Sequence, residues 1–249
     1  RDRLRSRGLG DVYKRQMESM YEILMQLPIF QGISRTKISE LIEKTKFHFL
    51  KYQDKEPVLT KGEAYPQLKF LISGSLRVVT GDHSGKIKIS EIIHAPNIIV
   101  PNYLFGMNTV SPSDVFASES AGIMQFDKST FIKILQSDPI ALINVLNLLS
   151  QSSQRGFEML YTSASGDIKK RFAQWILNTT GKRASDIRIE CKQKDLYAFF
   201  GVQRSAFVNM LNEMEEDGIL TFDTNGVQII SRDRLYDVVK SLTDSDEEL

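Results

Sequence analysis

The sequence holds a single cysteine, Cys191, in 249 residues. One thiol cannot close an internal disulfide, supply a CxxC redox pair or ligate an iron–sulfur cluster, so Cys191 reads as a buried or half-buried structural thiol. Histidine is as sparse. His48, His83 and His94 lack the close spacing of a metal set, and no metal-dependent enzyme of the cupin kind is expected. No apolar run approaches the ~20 residues of a membrane-spanning helix. Neither sign of charge is in excess: 32 Lys and Arg against 31 Asp and Glu leave +1. Even that depends on the first sixteen residues, RDRLRSRGLGDVYKRQ, which carry six basic and two acidic residues. They have no apolar periodicity and no signal-peptide core. A basic nucleic-acid arm is one reading; the expectation is an extraneous leader, with the natural start at Met17. Without it the net charge is −3, so any surface for a polyanion must be local.

What is present falls into three textures. From Met17, MESMYEILMQLPIFQGISRTKISELIEKTKFHFL predicts two short amphipathic helices, the second starting at a Ser34 cap with Ile38, Leu41 and Ile42 on its apolar side. Between Phe47 and Phe126 come short β-rich runs, among them FHFLKY, PVLT, LKFLISGSLRVVT and KIKISEIIH, punctuated by Gly, Pro, Asn and Asp. They predict a small antiparallel barrel or roll. GDHSGK (81–86) has too few residues between its glycines for a phosphate loop and reads as a hairpin tip with His83 in the turn.

From Asp127 the period is helical again. Pro139 suits the first turn of a helix running to about Ser163. Within it Leu142, Leu146, Leu149, Ser153, Gly156 and Leu160 alternate steps of four and three, an a/d seam that is apolar at its ends and small in its middle. The seam predicts a dimer, while Ile140 and Ile143 beside it face the chain's own roll. ASGD (164–167) predicts a hinge, and Asp167 caps the helix IKKRFAQWILNTTG, which ends at Gly181.

The stretch KQKDLYAFFGVQRSAFVNMLNEMEEDGIL, Lys192 to Leu220, predicts two helices around Gly201, with Leu196, Phe199 and Phe200 inward on the first and Phe207, Met210, Leu211 and Met214 inward on the second. A helix-turn-helix places the start of its second helix against base edges in the major groove. Here that start offers Arg204 for a guanine and Asn209 for an adenine, with Gln203 and Ser205 for phosphate or base. Residues 168–206 carry nine Lys and Arg against three acids, a local net of +6 that includes Lys169, Lys170 and Arg171. Two β-rich runs around Asn225-Gly226 predict a hairpin that would serve as a wing.

This order of parts resembles the Crp/Fnr family of bacterial transcription regulators, over about Ile23 to Ser231. Leu59 to Val79 is similar to the family's roll signature, with Gly62, Glu63, Phe70, Ile72, Gly74 and Val78 in step. DIKKRFAQWIL is similar to the helix that opens the family's DNA-binding domain, where the resemblance suggests Arg171 as a phosphate contact. Gly201, Arg204, Val208, Leu211, Gly218 and Leu220 follow the family's helix-turn-helix pattern. Ser205 stands where the family usually has Glu, and Asn209 where it has Arg, so the usual half-site does not carry over whole. In the roll, cyclic-nucleotide binders of this fold grip the sugar with a Glu and the phosphate with an Arg. Residues 92–117 contain neither, and Ser111, Pro112 and Ser113 stand roughly where Arg-Ser/Thr-Ala would be. A buried phosphate without a cation is poorly compensated, and Arg77 lies on another strand.

The expected fold is therefore α+β. Residues 17–137 are a cyclic-nucleotide-binding-like antiparallel β-roll with flanking helices, 138–165 a dimerisation helix and hinge, 166–236 a winged helix-turn-helix, and 237–249 a segment with an acidic tail. The expected function is a cytoplasmic homodimeric regulator that binds a near-palindromic site on double-stranded DNA, is not controlled by cyclic AMP and is not an enzyme. RNA polymerase is the implied protein partner, no membrane is involved and the effector is unknown. Three histidines leave haem chemically open, but isolated histidines on strands are ordinarily solvated or hydrogen-bonded, so no cofactor or metal is expected. The rival reading is a ligand-binding signalling module whose C-terminal domain contacts protein, supported by the acidic run from Glu213 to Asp217.

Overall fold

The computed structural model describes residues 21–82, 84–164 and 167–240, without the side chains of residues 42 and 160–164. The leader, Met17, His83, Ser165 and Gly166 of the hinge, the Leu160 and Ile42 side chains and the tail from residue 241 lie outside the described residues.

Helix α1 (residues 21–26) leads through a 3-10 turn, Pro28–Phe30, to α2 (Arg35–Lys44). The Ser34 hydroxyl accepts from the Lys37 N–H at 3.4 Å and starts α2 as expected. Eight strands follow: β1 (His48–Tyr52), β2 (Pro57–Leu59), β3 (Gln67–Ser73), β4 (Ser75–Gly81), β5 (Lys88–His94), β6 (Asn97–Ile99), β7 (Ser113–Ala117) and β8 (Ala121–Asp127). All pair antiparallel, in the order β1-β8-β3-β6 in one sheet and β5-β4-β7-β2 in the other. The two sheets close over one apolar core. Period-2 burial is plainest in β7, where Ser113, Val115 and Ala117 face in and Asp114 and Phe116 do not. Phe70 sits at the centre, its ring 5.3 Å from Phe126 and 6.1 Å from Phe30 of the 3-10 turn, which ties the N-terminal helices to the roll.

Helix α3 (Lys128–Ser137) then turns into α4 (Pro139–Ala164), whose 26 residues span about 39 Å. Asp138 caps α4, its carboxylate accepting from the Ile140 and Ala141 N–H groups at 2.8 and 3.2 Å. Ala141 and Val145 are buried against the roll, with Leu148 and Leu149 half-buried on the same core. The Asn144 amide anchors this face by donating to the carbonyls of Ile29 and Gln31. That rotation corrects the expectation for Ile140 and Ile143, which point outward at 41% and 55% exposure. The positions at 141, 145 and 148 lie on one helical face, and residues 140 and 143 cannot share it.

The C-terminal unit comprises α5 (Ile168–Thr179), β9 (Ser185–Glu190), α6 (Gln193–Phe200), α7 (Arg204–Glu216), β10 (Leu220–Asp223), β11 (Gly226–Ile229) and α8 (Arg232–Lys240). The Asp167 carboxylate accepts from the Lys169 N–H and opens α5, which stops at Thr179 rather than running to Gly181. Strands β9, β11 and β10 do not form a separate sheet. The roll's β5 pairs antiparallel with β9, from Lys88↔Glu190 to Ile92↔Ser185, so one seven-stranded sheet runs β10-β11-β9-β5-β4-β7-β2. No sequence pattern announces this junction. A bulge marks it: Asp186 takes a left-handed φ of 46° where the β5–β9 register shifts. Its carboxylate accepts from Arg77 of β4 at 2.8 Å and from Gln228 of β11 at 3.2 Å. Glu91 of β5 accepts from the Gly181 N–H at 2.7 Å, and His94 bonds Ser185 at 2.8 Å.

Candidate nucleic-acid interface

The C-terminal core is built on aromatic edges. Phe172 of α5 meets Phe200 of α6 at 5.6 Å and Phe207 of α7 at 5.8 Å, both edge-on. Leu196 and Phe200 supply the buried face of α6. Phe199 does not join them. One residue from Phe200 is about 100° around the helix, so Phe199 is 55% exposed, lying across the Trp175 ring at 5.5 Å. Cys191 is buried as expected. Burial, with help from the nearby Asp195 charge, pushes its thiol up to about 12, so it stays neutral.

The turn between α6 and α7 follows from one conformation. Gly201 has φ 65°, and the N–H groups of Gly201 and Val202 bond the carbonyls of Ala198 and Tyr197. That is the Schellman pattern, which ends α6 and starts α7 three residues later. Gln203, at the N-cap of α7, makes no side-chain cap bond, so the first turn presents backbone N–H groups along with its exposed side chains. Phe207, Met210, Leu211 and Met214 are buried, while Gln203, Arg204, Ser205 and Asn209 are all exposed. The four residues of this element expected to meet DNA are therefore all accessible in the first half of α7 and at its cap.

The wing is a two-residue hairpin, but its tip is Thr224-Asn225. Asp223 pairs with Gly226, which corrects the placement of Asn225-Gly226 at the turn. Gly226 instead begins β11, where a Cβ would lie 2.1 Å from the Ile189 carbonyl oxygen of β9. Close strand approach, not turn geometry, demands the glycine. Helix α8, unanticipated from the sequence, packs on α5 and closes the unit with Leu235 fully buried.

The basic residues divide by what they do. Lys169 pairs with Asp217 at 2.7 Å. Arg171 is half-buried, donating at 2.8 Å to the Phe200 carbonyl at the end of α6, with its guanidinium 5.9 Å from the Phe200 ring. That position is a helix C-terminal anchor. Lys170, Lys182, Arg183, Lys192, Lys194 and Arg204 form no ion pair among the described residues, which leaves their charges open to a phosphate backbone. No cluster of His, Cys, Asp and Glu fit for a metal occurs among the described residues, and no single helix there is long and apolar enough to cross a membrane.

A roll joined by one sheet to a winged helix-turn-helix with an exposed helix end is the architecture of a DNA-binding regulator. Residues 49–138 match the family model of the cyclic nucleotide-binding domain, and residues 170–238 match that of the Crp-like helix-turn-helix domain. The chain is 21% identical over 179 residues to the cAMP-activated global transcriptional regulator CRP of Salmonella typhimurium, covering 70% of this chain and 85% of that one. The regulator of the same name from Pasteurella multocida is 21% identical over 179 residues, 70% of this chain and 86% of that one. Among solved structures, the Thermus thermophilus catabolite activator protein is similar with a TM-score of 0.48 at 15% identity, covering 86% of this chain and 99% of that chain. The chain belongs to the Crp/Fnr family and is a DNA-binding transcription regulator.

Proposed function

We propose that the chain acts as a cytoplasmic homodimer that places two α7 helices in successive major grooves, about 34 Å apart, of a near-palindromic site. The observation that carries this is the uncapped, exposed end of α7 beside a wing and unpaired cations. Gln203, Arg204, Ser205 and Asn209 meet bases or phosphates, and Lys170 meets backbone. Lys169 and Arg171, both expected on phosphate, support the reading less directly, since each has a partner within the chain. The outward face of α4 supports the dimer. Leu142, Leu146 and Phe157 are 40%, 53% and 60% exposed, an apolar stripe along a helix that a second copy would cover. Ser153 and Gly156 let two helices approach in the middle of the seam, Leu149 contributes its uncovered side, and Leu160 continues the spacing.

The roll reads as unresponsive to cyclic AMP. Tyr65, 1% exposed, occupies its interior and donates to the Ile99 carbonyl. Ser111 and Ser113 bond one another, and the Gly62 N–H takes the Ser111 carbonyl. Arg77, a cation on another strand, is engaged by Asp186. Another small effector, or none, acts on the roll; the protein works through DNA and RNA polymerase rather than by catalysis. The test is a gel-shift titration against genomic fragments at physiological salt, with sedimentation of the free protein and with cyclic AMP added. One fragment is expected to bind far more tightly than bulk competitor, to a dimer, with no response to the nucleotide. Equal binding to all fragments overturns the reading.

A further inference from the structure

The direction in which α7 faces carries a specificity assignment beyond the four residues at its start. Buried Phe207, Met210, Leu211 and Met214 fix the inward side of the helix. At about 100° per residue, the opposite line runs through Ser205, Asn209 and Asn212, all exposed. Arg204, in the first turn, sits roughly 70° from the inward direction and so about 110° from that line. Neither the Asn209 nor the Asn212 side chain forms a hydrogen bond among the described residues. Asparagine is a poor choice for a solvated mid-helix position, where Glu, Lys or Ala would stabilise the helix more. Two on one line, inside a 13-residue helix, are a local cost that stability does not explain.

We propose that Asn212 is a base-reading residue, which together with Asn209 directs each half-site toward adenine. This rests on α7 being the recognition helix. An amide in the major groove pairs bidentately with adenine N6 and N7. Ser205 to Asn212 spans about 10.5 Å of helix, close to three base steps at about 3.4 Å each. The reading line therefore spans about three base steps and ends where Glu216 follows. Arg204, to one side of this line in the first turn, adds a guanine or phosphate contact at the flank of this run.

Selection from a random duplex library with the full chain tests it, beside Asn212→Ala, Asn212→Asp and Arg204→Ala. Wild type is expected to enrich an adenine at two neighbouring half-site positions. Asn212→Ala should flatten one of them, losing about 5- to 140-fold discrimination there, while the other positions and the affinity for bulk DNA stay as they were. Asn212→Asp, an acceptor only, should replace adenine by cytosine at that position or lose it. Unchanged Trp175 fluorescence in both variants shows that folding is intact. If Asn212→Ala enriches the wild-type sequence with unchanged discrimination while Arg204→Ala does not, Asn212 does not read a base, although α7 does. If wild type enriches no sequence, the recognition-helix reading fails and this assignment with it.

Discussion

Ile87 belongs to the roll by sequence, at the foot of β5, yet it is packed into the core of the DNA-binding unit with Ile187 and Ile189. Replacing Ile87 by alanine tests whether the two units share a core. Deleting a buried Ile side chain to Ala costs about 2–5 kcal/mol. Ile87 is 8% exposed at a boundary where neighbours on both sides can relax, so the low end applies, about 2 kcal/mol. That is about a 30-fold change in the folding equilibrium and a loss of about 1 M in urea midpoint. The chain has one tryptophan, Trp175, 7% exposed in the core of the DNA-binding unit, so its emission reports that unit alone. Urea titration of Ile87→Ala should shift the Trp175 transition downward by this amount, although the substitution lies in the roll. A Val58→Ala variant, altered in the roll core away from the junction, provides the comparison. A Trp175 transition of Ile87→Ala that overlays wild type would refute the shared core.

Three further outcomes are expected. Glu91 is largely buried at the junction, and burial raises its carboxyl above 4.5 against the Gly181 N–H and the Arg232 charge. The folded chain then holds this proton more tightly than the unfolded one, so stability falls as pH rises from the ordinary carboxylate value through the raised one. Glu91→Gln, which keeps an acceptor for Gly181, should raise Tm at about pH 8 and leave it unchanged at about pH 4; calorimetry showing a lower Tm at the higher pH would count against this account. Leu146→Glu puts a charge in the middle of the exposed α4 stripe and should convert a dimer to a monomer in sedimentation, with the far-ultraviolet spectrum retained. Gly226→Ala forces a Cβ to within 2.1 Å of the Ile189 carbonyl. It should destabilise the wing by at least about 2 kcal/mol, seen as faster amide exchange in β10 and β11.

The helical parts of the C-terminal unit were legible in the sequence because their code is local. Gly201 in the left-handed region, the Asp167 cap and the apolar spacing from Phe207 to Met214 each act within one or two turns. The same spacing identified the exposed end of α7 that carries Arg204. Local spacing was less reliable where neighbouring positions compete for one face. Phe199 lost to Phe200, and Ile140 and Ile143 lost to Ala141 and Val145, because packing partners elsewhere in the chain chose the rotation.

The sequence alone determined the strands of the roll, the helix-turn-helix and the missing Glu and Arg of residues 92–117, since each is a matter of residue identity or short-range periodicity. Only the tertiary structure decided that β9 and the wing extend the roll's own sheet, that Arg77 is tied to Asp186, and that Arg171 braces α6. The edge strands β5 and β9 carry no pattern naming their neighbour, because main-chain hydrogen bonds are the same along every edge. What selects the pairing is the fit of Ile87 and Ile189 into one core and of Arg77, Glu91 and His94 onto the facing loop and strand, contacts that exist only once both units have folded.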